Sequence, residues 1–81
     1  MTEELFKHLR KIISSQLGVD EVEITPASHL QEDLNADPIS IADLMVRLEE
    51  EFNFKIPQGQ AQNFLTVGDI LNFIADQTGE I

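Results

Sequence analysis

Apolar residues recur with helical spacing in three stretches of the chain, separated by two stretches in which no such period persists. In the first, Glu3 to Leu17, a stripe of Leu5, Leu9, Ile12 and Ile13 has Phe6 and Leu17 at its edge. Thr2 is placed to cap this helix, Glu3 and Glu4 suit the positive end of its dipole, and Gly18 supplies a stop. Lys7, Arg10 and Lys11 fall on the opposite side, so three of the five basic residues belong to the first helix and the remainder is correspondingly acidic.

From Gly18 to Ala36 the period is lost, and Thr25-Pro26-Ala27-Ser28 reads as turns. A connection of that length exceeds the usual limit of about 12–15 residues for structureless loops, so it is expected to be packed down or functional. Val19, Val22, Ile24, Leu30 and Leu34 are the residues available to pin it to a core. The alternation of Val22 and Ile24 mimics a strand, but a lone strand has no partner here.

The second helix is predicted over Asp37 to Phe52, with Asp37 as N-cap and Pro38 as first helical residue, where the missing N–H costs nothing. At about 100° per residue, Ile41, Leu44, Met45, Leu48 and Phe52 share the core face. Beside them Ile39, Ala42 and Val46 form a second, smaller apolar strip, bordered by Asp43 and Glu50 on one side and Glu49 on the other. Asn53 to Leu65 reads as a loop with one short helical turn at Ala61 to Phe64. Thr66 and Asp69 resemble a capping box for a last helix over Val67 to Gln77, which turns Val67, Ile70, Leu71 and Ile74 inward and ends at Gly79. The pattern predicts an all-α fold of three main helices and a short one, in a single domain spanning residues 1–81.

Composition narrows what such a bundle can do. An 81-residue chain of this kind buries only about 60% of its unfolded surface and has little stability to spare. The absence of cysteine removes disulfides, thiolate metal sites and a cysteine nucleophile. A formal charge of −10 makes nucleic acid and anionic membranes repulsive and points to basic protein partners. No apolar run approaches the roughly 20 residues that span a bilayer, and the N-terminus lacks the pattern of a signal peptide, so a cytoplasmic protein without membrane insertion is expected; a monomer is expected as well.

Independent catalysis finds no support. His8 and His29 lack a serine or carboxylate at a spacing that specifies a triad, and both read as surface or edge residues. The acids Asp20, Glu21, Glu23, Glu32, Asp33 and Asp37 do not follow the ligand spacing of a calcium loop, so no metal is expected. There is no phosphate-cradling glycine loop, and Trp and Tyr are absent. What remains is the second helix, whose acids can steer a basic partner and whose apolar strip can fix it; a solvated helix end is the plainer reading of Glu49, Glu50 and Glu51.

Over nearly its whole length the sequence resembles the acyl carrier proteins. The resemblance rests on Q-L-G-V at Gln16 to Val19, E-D-L-N-A-D at Glu32 to Asp37, L-E-E-E-F at Leu48 to Phe52, Ile56-Pro57, and Thr66-Val67 before the last helix. It implies a four-helix bundle, one helix being short, whose second helix docks onto basic patches of acyl-handling enzymes. In that family a D-S-L motif opens the second helix, and its serine bears a 4′-phosphopantetheine arm that holds the acyl group as a thioester.

Here the matching residues are Asp37-Pro38-Ile39, and Pro38 has no hydroxyl with which to form the phosphodiester. Ser40 lies about 200° around the helix from Pro38, in place of the acidic residue that follows the family's motif. Arg47 stands where a small neutral residue is typical. The resemblance therefore implies a non-enzymatic binding module of fatty-acid or polyketide-type metabolism that docks through Asp37, Ile39, Ala42, Asp43, Val46, Glu49 and Glu50 and carries no cofactor. The alternative is a functioning carrier with 4′-phosphopantetheine on Ser40.

Overall fold

The computed structural model describes residues 2–57 and 59–78, with the backbone alone at 2, 61, 62 and 78. Among the described residues three helices, α1 (Thr2–Leu17), α2 (Pro38–Phe52) and α3 (Val67–Thr78), surround one apolar core. Two short 3-10 turns, Glu21–Glu23 and Gln60–Asn63, lie in the connections. Among the described residues the only strand-like pairing is a single antiparallel bridge between His29 and Thr66. The expected all-α bundle of three main helices and a short helical turn is the fold observed.

Each helix buries the stripe expected of it. Leu5, Leu9, Ile12 and Ile13 of α1, Leu44, Met45 and Leu48 of α2, and Val67, Ile70 and Ile74 of α3 are all buried, and Ile41, Phe52 and Leu71 pack half-buried against them. Removing this apolar surface from water is the main force holding the bundle together. Half-buried rings of Phe52, Phe54 and Phe73 run from the end of α2 across to α3, with centroids 6.4 and 5.8 Å apart, and Phe73 meets buried Phe64 at 5.4 Å.

The helix ends follow local chemistry. Gly18 terminates α1 in the left-handed region at φ 71°, its amide donating to the Ser14 carbonyl at 2.9 Å. Thr66 and Asp69 cap α3 reciprocally: the Asp69 amide donates to Thr66 Oγ1 at 3.2 Å, and the Asp69 carboxylate accepts from the Thr66 and Leu65 amides at 3.1 and 2.9 Å. The expected caps at Thr2 and Gly79 concern groups outside the described residues.

The long connection is packed down. Its Ser28 hydroxyl, buried, donates to the Glu23 carbonyl and accepts from the Thr25 amide. Three backbone hydrogen bonds then fasten it to the start of α3, from Leu30 to Leu65, Val67 to Ser28 and Gly68 to Pro26, at 2.8–3.0 Å. Ile24, Leu30 and Leu34 point inward as expected, and Val19 packs at the edge.

Val22 departs from the expectation: it is 86% exposed. It lies within the first 3-10 turn, where residues two apart are not on one face as they would be in a strand, so Ile24 enters the core and Val22 turns out. The second turn also sits one residue earlier than predicted, leaving Phe64 just beyond it and buried.

Candidate functional site

The candidate site is the N-terminus and outer face of α2. Asp37 is extended, and its carboxylate accepts from the Ser40 amide at 2.7 Å, closing the first turn. That backbone hydrogen bond, followed by one from the Ser40 side chain, holds the Asp37 carboxyl below the usual carboxylate range. Pro38 occupies the first helical position and is exposed, presenting a ring with no donor or nucleophile. Ser40 is only partly exposed, its amide bonded to Asp37.

Along the outer face, Ile39 is 74% and Val46 54% exposed, with Ala42 exposed between them. Their spacing of three and four residues puts them on one row. The opposite side of the helix is anchored by Leu44, Met45 and Leu48, so the row is displayed on a packed, preformed element. Asp43 and Glu50 flank it with exposed carboxylates.

The three consecutive glutamates that follow are not equivalent. Glu49 turns back on the chain, its Oε2 accepting from the Ile56 amide at 2.7 Å. Glu51 faces α1, 3.4 Å from His8 Nε2 and 3.4 Å from Arg47 Nε. Glu50 is exposed on the outer face, and among the described residues it has no such contact. The Arg47–Glu51 pair has the four-residue spacing of helical neighbours, whereas the contacts of Glu49 with Ile56 and of Glu51 with His8, 7 and 43 positions away, are signalled by neither acid content nor helical period.

An open groove of about 450 Å³ continues the face at the C-terminal end of α2, lined by Val46, Glu49, Glu50, Asn53, Phe54 and Lys55. Leu65, 60% exposed, is a further displayed apolar residue that periodicity did not single out, because it precedes the helix whose pattern it would join.

Neither histidine belongs to a catalytic arrangement. The His8 ring rests against Phe52 at 4.8 Å, and His29 Nδ1 lies 3.8 Å from a Glu32 carboxylate oxygen. Among the described residues no three His, Cys, Asp or Glu side chains come together as a metal site, and no helix is long and apolar enough to cross a membrane.

Fold and site together define a small helical carrier-type domain with a displayed acidic and apolar second helix. The chain belongs to the acyl carrier protein family: the family model described as "Phosphopantetheine attachment site" matches residues 7–74. It is 49% identical over 77 residues to the acyl carrier protein of Borreliella burgdorferi, covering 95% of this chain and 96% of that protein. Similarity to the acyl carrier protein of Helicobacter pylori is 39% identity over 72 residues, 89% of this chain and 92% of the relative. Members of this family are carriers in acyl metabolism and not enzymes.

Proposed function

We propose that this chain is a binding module of fatty-acid or polyketide-type metabolism that docks on basic enzyme surfaces through α2 and bears no phosphopantetheine arm. The observation that carries the reading is Pro38 at the first position of α2, where the family's motif calls for the serine that takes the arm. A tertiary amide ring offers no oxygen for a phosphodiester, so the residue there does not fit the group.

Ser40 does not replace it. Its amide already serves the Asp37 carboxylate. A phosphodiester on its oxygen would set a second negative charge beside an acid whose protonation is already disfavoured. The modifying enzyme would also meet its target about 200° around the helix from the family's position.

For docking, Asp43 and Glu50 provide charge beside the apolar row of Ile39, Ala42 and Val46, the combination that steers and then fixes a basic partner. Asp37 and Glu49 support the surface from its two ends, one capping the helix and the other holding the following loop. The module acts as a cytoplasmic monomer, its net charge of −10 opposing self-association.

Intact-mass measurement after incubation with coenzyme A and a phosphopantetheinyl transferase tests the absence of the arm. The mass is expected to stay that of the bare chain; an added arm mapped to Ser40 would establish the carrier alternative instead.

A further inference from the structure

We infer that the chain acts as a competitive brake on enzymes that draw acyl groups from charged carriers. The inference rests on the docking reading above and adds to it a consequence for the partner. A partner whose surface recognises the acidic second helix of a carrier meets the same kind of surface here: exposed Ile39, Ala42 and Val46 in one row, with Asp43 and Glu50 beside it.

The docked complex has nothing to transfer. The chain contains no cysteine, and Pro38 offers no hydroxyl at the helix start on which a thiol-bearing group could be mounted. Occupancy of the carrier site is therefore unproductive by chemistry, without any need for a blocked active site.

Two features suit the surface to this role. The row is preformed, because Leu44, Met45 and Leu48 lock the inner side of α2 and Asp37 closes its first turn, so little ordering has to accompany binding. Its charge also complements one occupant in particular, a lysine- and arginine-bearing patch around an apolar recess, and disfavours a second copy of this acidic chain.

The test is steady-state kinetics of an acyltransferase that consumes acyl-charged acyl carrier protein of Borreliella burgdorferi, with this chain titrated in as the full-length protein. Its Kd for the enzyme is measured separately by fluorescence anisotropy. Simple competition predicts an apparent KM for the charged carrier about elevenfold higher when the free chain is at ten times its Kd, with kcat unchanged. The inhibition should weaken as salt rises, and the variant D43K/E50K, confirmed as folded by circular dichroism, should lose it.

Binding without any rise in KM, or a fall in kcat at constant KM, would overturn the brake while leaving docking intact. No binding at all would overturn the docking reading itself.

Discussion

Gly68, the second residue of α3, approaches the long connection so closely that a methyl group added there would lie 2.9 Å from the Pro26 carbonyl oxygen and 3.6 Å from its carbon. The obstacle is backbone, and it is held from both sides: the Gly68 amide donates to that same oxygen at 2.8 Å, and the turn is closed by Ser28 N–H to the Thr25 carbonyl at 3.0 Å. Replacing Gly68 with alanine sets one gain against two costs. Helix propensity favours alanine by about 0.5–1 kcal/mol. Overpacking costs about 1–3 kcal/mol. Losing the hydrogen bond as the segments part costs about 0.5–1.5 kcal/mol more.

The middle of these ranges gives a net loss near 2 kcal/mol. For a domain of this size that corresponds to a fall in Tm of about 8–16 °C. Thermal and urea unfolding followed by far-ultraviolet circular dichroism would measure it. Gly18→Ala is the internal comparison: its added methyl meets nothing within 4 Å, so only the left-handed backbone resists it, at about 1–2 kcal/mol. A Gly68→Ala variant as stable as the parent would refute the clasp, because propensity would then have prevailed over an obstacle that yields.

Other perturbations probe the core and the caps. Leu48 is fully buried, and Leu48→Ala should remove about 2–5 kcal/mol, readable as a lowered urea midpoint. The Asp69 carboxyl is held below its usual range chiefly by the Leu65 amide and then by that of Thr66. Because the folded state depresses this pKa, its stabilisation is present above the unfolded value of about 3.9 and is lost as pH falls through the folded value. Asp69→Asn should therefore be less stable than the parent near neutrality, with the gap narrowing below about pH 4. Comparing urea midpoints of the two proteins at each pH cancels the general relief of repulsion that acidification brings to a chain this acidic.

The faces of all three helices were legible because burial repeats with the helical period, and the α2 start was legible because Asp37 and Pro38 each have a strong positional preference. The Thr66–Asp69 box was readable for the same reason. What escaped depends on neighbours remote in sequence or on a turn of different pitch. Val22 looked like an anchor because it is one of the few apolar residues of the long connection, and its place in a 3-10 turn, which turns it outward, carried no signal. Gly68 carried no signal, since its constraint comes from Pro26, across the intervening helix and loops. At the candidate site the apolar row, Asp43 and the four-residue spacing of Arg47 and Glu51 could be read from the sequence, whereas the contacts of Glu49 with Ile56 and of Glu51 with His8 could not.

That last difference bears on how the surface would be felt by anything approaching it. Counted by composition, Glu49-Glu50-Glu51 is a block of three charges. Followed through the structure, Glu49 fastens the Ile56 amide, Glu51 lies between His8 and Arg47, and Glu50 faces outward with no such contact among the described residues. The ionic-strength dependence of association should accordingly track a pair of carboxylates, Asp43 and Glu50, and fall well short of what the chain's net charge of −10 would suggest.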